Sequence, residues 1–142
     1  DHKSDKMRSI DPILFKPLLE FTGVTFFSLQ VGRNGEALET FGSQVVDLIP
    51  EATPFDDTAA VMMNMDLIIS VDTSLAHLAG ALGRPVWTLL SFVPDWRWML
   101  DRDDSPWYPN MRLIRQQECG AWEGVIRKVC QDLEEQLGNT QE

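Results

Sequence analysis

The stretch 66–90, DLIISVDTSLAHLAGALGRPVWTLL, constrains this chain more than any other. Residues 67–71 form a short apolar run rich in β-branched side chains, which suits a strand buried on both faces. Asp72, Thr73 and Ser74 follow with helix-capping chemistry. Residues 75–82 are apolar almost all round, the pattern of a helix packed deep in an α/β layer. Gly83 stands where a left-handed residue closes a helix, and Pro85 where a helix cannot continue. Residues 86–90 then read as the next buried strand. This order leaves backbone N–H groups and the positive end of a helix dipole at the 72–74 turn, a ready site for a phosphate. Every βαβ unit has such a turn and most are simply capped. Neither GxGxxG nor a Walker lysine is present. A phosphate site and a plain cap are therefore both open. His77 is the one strongly polar side chain in this helix, either a satisfied core histidine or a group facing a ligand.

Helical and strand patterns alternate along the rest of the chain. Asp11-Pro12 opens a helix whose apolar face holds Ile13, Leu14, Phe15, Leu18, Leu19 and Phe21, with Pro17 expected to shorten or kink it and Gly23 as its stop. Strands are expected at 24–31, 45–49 and 111–115 besides the central pair, and short helices at 36–41 and 56–64. Trp122, Val125, Ile126, Val129, Cys130, Leu133 and Leu137 fall at helical spacing and predict an amphipathic last helix ended by Gly138. The alternation argues one α/β domain over 1–142, a Rossmann-like parallel sheet of five strands with helices on both faces. Ligands in such sheets sit beyond the carboxyl ends of the strands. The loops there are 32–35, 72–74 and 91–109, with 50–57 a further candidate.

The segment 91–109 carries Phe92, Trp96, Trp98, Trp107 and Tyr108 with little helical or strand period. Its rings either fill a satellite core or form an aromatic wall that stacks a base or sugar, with Arg97 or Arg102 reaching a phosphate. Asp101, Asp103 and Asp104 lack the glycine and terminal glutamate of an EF-hand loop, so ion pairing with Arg102 is expected rather than a metal.

The net charge is −10, which argues against nucleic acid or an anionic membrane as a general partner. No apolar run reaches the roughly 20 residues that span a bilayer. Cys119 and Cys130 form no disulfide framework, and a free buried thiol is expected at Cys130. A reducing cytoplasm is the simplest setting. The polar start, DHKSDKMRS, is no signal peptide, and without an initiator methionine the chain is expected to be cut from something longer.

The motif SVDTSLAHLAGALGRPVW resembles the D-T-[GS]-x-x-H-x-A-[GA]-A-x-G-x-P signature of the heptosyltransferase-like (family 9) glycosyltransferases. The match is closer to a subset found behind tetratricopeptide repeats in bacterial proteins. That subset is matched by Arg8-Ser9-Ile10, Ser28-Leu29-Gln30, Asp57-Thr58-Ala59, Pro94-Asp95-Trp96-Arg97-Trp98 and Ser105-Pro106-Trp107-Tyr108-Pro109. The resemblance covers nearly the whole chain. It implies the carboxyl-terminal half of a GT-B fold, which binds the nucleoside diphosphate sugar donor without a metal or other cofactor. The amino-terminal domain, which carries the family's catalytic base, would be missing, so no catalytic residue is expected here. Thr73 and Ser74 would bind the diphosphate through N–H and hydroxyl donors. Asp72 would anchor the turn or touch a sugar hydroxyl. His77 would orient the turn or donate to a phosphate oxygen. Arg33 falls just past the basic position of the family's Ser-Leu-Gln loop. The expected function is donor binding, inactive alone. The alternative is a non-catalytic interaction module derived from a GT-B half, and homodimerisation stays open. An epimerase or a receiver domain lacks the residues it would need.

Overall fold

The computed structural model describes residues 5–30, 38–49 and 54–139. The chain forms two compact units, one from residues 11–65 and one from residues up to Ile10 together with those from Asp66 onward.

The smaller unit opens with Pro12–Glu20, which is a 3-10 helix rather than the α-helix expected. Asp11 caps it by accepting from the Ile13 N–H at 3.0 Å. Pro17 has no N–H to donate, and its ring would clash with the carbonyl four residues back in an α-helix. Strand β1 is Phe26–Ser28 and β2 is Val45–Asp47, paired in parallel with Phe26 opposite Val45. Both are shorter than their sequence patterns. Helix α2, Phe55–Met63, follows Pro54 as its N-cap residue. It starts one residue before the expected 56–64 segment, and Asp56 and Asp57 lie inside its first turn, where they complement the helix dipole.

The larger unit begins with α1, Asp5–Arg8, and continues at β3, Ile68–Val71. Helix α3 is Ser74–Ala81 and strand β4 is Val86–Leu90, the strand–helix–strand unit expected. Strand β5 is Met111–Arg115 and helix α4 is Trp122–Asn139. The three strands are parallel in the order β3-β4-β5, with Ile68 opposite Val86 and Val86 opposite Met111. The strands of the smaller unit form a two-stranded sheet and those of the larger unit a three-stranded one. Strands of three residues offer few ladder bonds. The fold class stands: α/β, parallel-strand sheets with flanking helices, as in Rossmann-like domains.

β4 is buried at all five positions because β3 and β5 flank it. Full burial of each Val or Leu is worth about 1.5–3 kcal/mol relative to exposure. β3 is only partly buried along its length, less than its apolar sequence suggests. Helix α3 packs on β3 and β4, and α4 on β5. Its end is a Schellman turn: Gly83, at φ 67, donates to Gly80 O, and the Arg84 N–H donates to Ala79 O at 3.0 Å. α4 runs through Gly138, which does not end it. Asp132 on α4 is buried, with its carboxylate 2.6 Å from Lys128 Nζ and 3.0 Å from Arg112 on β5. This ion triad ties the helix to the sheet. Cys130 is half-buried, not fully buried.

Candidate functional site

β3 ends at Val71 and α3 starts at Ser74, so Asp72 and Thr73 turn the chain at the carboxyl edge of the sheet. Thr73 is the N-cap residue in extended backbone, and its side chain makes no capping bond to the helix. Its hydroxyl instead lies 3.2 Å from Ser70 Oγ. Ser70 spends its own proton on Val71 O at 2.9 Å, so Thr73 is the donor of the pair. The ladder of α3 begins with Ala76 and His77 donating to Thr73 O. The N–H groups of Ser74 and Leu75 stand ahead of it, at the positive end of the helix.

A cavity of about 280 Å³ opens over this turn, lined by Arg8, Ser9, Val71, Asp72, Thr73 and Ser74. Arg8 NH1 donates to Asp72 O at 3.3 Å across 64 residues of sequence. A guanidinium and a helix amino terminus therefore border the same space. Arg8 and Ser9 enter the sequence reading only as part of a motif, because nothing in a polar amino-terminal segment signals contact with a turn so far along the chain.

Of the expected site residues, Asp72, Thr73 and Ser74 line the cavity together. His77 lies behind Asp72, its Nε2 3.7 Å from the Asp72 carboxylate and its Nδ1 3.0 Å from the Tyr108 hydroxyl. Trp98 stacks on the imidazole with ring centres 5.2 Å apart. Trp96 and Arg97 do not line the cavity. They sit in a 3-10 turn, Trp96–Trp98, capped by Asp95, which accepts from the Arg97 N–H and pairs with its guanidinium, both at 3.0 Å. Arg33 lies outside the described residues.

The rings of the 91–109 segment divide between core and surface. Trp98 is fully buried, whereas Trp96 is 74% and Trp107 54% exposed. Trp107 Nε1 donates to Arg97 O at 3.0 Å, which holds its exposed ring in place. Met99 and Asp101 have positive φ, 54° and 57°, and Arg115 spans this bend by donating to Trp98 O and Arg102 O. Burial pulls the Arg115 guanidinium below its ordinary pKa, partly offset by Asp101. The expected pairing of Arg102 is with Asp104, in a fork of 2.6 and 2.7 Å that holds the Asp104 carboxyl below the usual carboxylate range. Among the described residues, no group of three or more His, Cys, Asp or Glu side chains is placed to hold a metal ion, and no helix is long and apolar enough to cross a membrane.

The fold and the place of this crevice define a Rossmann-like α/β domain with its cavity at the carboxyl edge of a parallel sheet. Residues 30–123 match the model of glycosyltransferase family 9 (heptosyltransferase), and the chain belongs to that family. It is also 31% identical over 136 residues to protein FlbA of Caulobacter vibrioides. That match takes in 89% of this chain but 22% of FlbA, so the chain spans about a fifth of that relative's length. No solved structure matches.

Proposed function

We propose that this chain is the donor-binding domain of a glycosyltransferase, holding a nucleoside diphosphate sugar with its diphosphate at the amino terminus of α3. The observation that carries this reading is the cavity in which Arg8 faces the Asp72–Ser74 turn. Glycosyl transfer from such a donor builds negative charge on the leaving diphosphate. Fixed N–H groups, a helix dipole and a guanidinium stabilise that charge without reorganising during reaction. Family membership supports the same donor class. The exposed rings of Trp96 and Trp107 offer stacking surfaces for a base or sugar, with Arg97 and Arg33 as further cations for phosphate.

In this reading residues 1–142 are one nucleotide-sugar domain, the carboxyl-terminal half of a GT-B enzyme. A facing amino-terminal domain supplies the acceptor and the general base. The setting is a bacterial cytoplasmic protein with tetratricopeptide repeats. A second reading, a non-catalytic interaction module, draws on the exposed Phe92, Val93, Leu100 and Trp107 side chains.

Titration calorimetry with UDP and ADP tests the donor reading. Ser74→Pro is the decisive variant. Ser74 is the first helical residue and Thr73 before it is extended, so proline fits the backbone and removes one N–H. Binding by the wild type, its loss in Ser74→Pro, and a tenfold or greater weakening in Arg8→Ala, on the order of a charged hydrogen bond, are expected. No binding by the wild type at millimolar nucleotide, or equal binding by Ser74→Pro, overturns the reading.

A further inference from the structure

The imidazole of His77 is gripped from three sides, and the grip leads back to the turn. The Asp72 carboxylate oxygen 3.7 Å from Nε2 is negative, so it favours the tautomer with the proton on Nε2. In that neutral form Nδ1 is an acceptor, and the Tyr108 hydroxyl at 3.0 Å is its donor. The opposite tautomer would set a lone pair against a carboxylate. Trp98, stacked at an interplanar angle of 24°, fixes the plane of the ring.

Tyr108 is itself held closely. Its N–H donates to Ser105 Oγ, and its ring lies so near Gly80 that a Cβ there would come within 2.5 Å of Tyr108 Cγ. Asp72 is held at both ends: Arg8 donates to its carbonyl and His77 faces its carboxylate. It is the residue just before the N-cap, so its conformation aims the N–H groups of Thr73 and Ser74.

We propose that Tyr108 is a positioning residue for the 72–74 turn: its hydroxyl donates to His77 Nδ1, which directs Nε2–H at Asp72 and sets the turn that lines the cavity. The role of that cavity as a phosphate site rests on the reading above, but the positioning is measurable without ligand. The chain labelled with ¹⁵N is compared with Tyr108→Phe, His77→Gln and the double variant. Tyr108→Phe keeps the ring against Gly80 and removes only the hydroxyl. The chain has two histidines, and His77→Gln assigns the imidazole resonances.

In ligand-free spectra, Tyr108→Phe should move the Nδ1 resonance to that of a nitrogen without a hydrogen bond, and should shift the Thr73 and Ser74 amides. His77→Gln should shift the same amides, and adding Tyr108→Phe to it should change them little further, because the hydroxyl acts through the imidazole. UDP affinity in Tyr108→Phe should fall about threefold to tenfold, the scale of one neutral hydrogen bond. An unmoved Nδ1 resonance, unmoved amides, or a Tyr108→Phe effect that persists in full without the histidine overturns the proposal. So does unchanged UDP affinity in Tyr108→Phe when the wild type binds. A wild type that binds no nucleotide sinks the donor reading instead, while the ligand-free shifts still decide this one.

Discussion

Gly80 is a residue whose missing side chain builds the site. In an exposed helix interior, replacing glycine with alanine gains about 1 kcal/mol of helix propensity. Here a Cβ would meet three atoms of the Tyr108 ring, all closer than 3.0 Å, at the base of the ring, where rotation gives no relief. Overpacking of this kind costs typically 1–3 kcal/mol. Gly80→Ala is therefore expected to lower the melting temperature despite its higher propensity, and to break the His77–Tyr108 hydrogen bond. Thermal unfolding followed by circular dichroism checks the first outcome; a rise in melting temperature would show that Tyr108 does not pack here. Nothing in the run of small and apolar residues around Gly80 distinguishes it from a filler. The ring that needs the space arrives from 28 positions along the chain.

At the scale of elements, β4 is the strand most deeply enclosed, and Thr88 at its centre is the exception to its apolar content. Its side chain is fully buried and its hydroxyl has no hydrogen-bond partner among the described residues. A buried unpaired hydroxyl costs about 1–3 kcal/mol. Thr88→Val has the same shape and suits a strand equally well. We expect it to raise unfolding stability by about 1 kcal/mol, read as a higher urea midpoint at unchanged slope. A loss of stability would mean that the hydroxyl has a partner. The ends of elements were unequally legible in the sequence. Gly83 closes α3 because its φ of 67° suits glycine, and Gly138 continues α4 although both glycines follow an apolar helix. The difference lies in the backbone that each position is asked to adopt. Pro17 likewise signals a shortened or kinked helix, and the outcome is a 3-10 helix, because the sequence shows the missing N–H but not the hydrogen-bond pattern that replaces the α-helical one.

At the scale of the whole molecule, donor binding by one domain does not amount to catalysis. In the proposed reading the acceptor and base face the donor from another domain. Orientation of two reactants contributes about 7–11 kcal/mol of barrier reduction, and a positioned base a factor of roughly 10² to 10⁴. We expect no glycosyl transfer by this chain alone, assayed with a panel of sugar nucleotides and generic acceptors at several protein concentrations. Product that rises steeply with concentration would show that a second copy completes the site, and would overturn the half-enzyme reading.

The sequence by itself determined the strand–turn–helix–strand unit over 66–90, the parallel α/β class, the last helix, and the family. All of these rest on short-range pattern: β-branched runs, helical periodicity, a glycine stop, and a motif within one βαβ unit. Pairing of Arg102 with a neighbouring aspartate was legible for the same reason, while the choice of Asp104 over Asp101 and Asp103 was not. Tertiary structure alone decided the strand order within the larger unit, that Arg8 reaches Asp72, and that Tyr108 reaches His77. It also decided that Trp98 is buried while Trp96 faces solvent. Those outcomes depend on which distant surfaces meet, and contacts spanning 31 and 64 residues leave no periodicity in the chain to read.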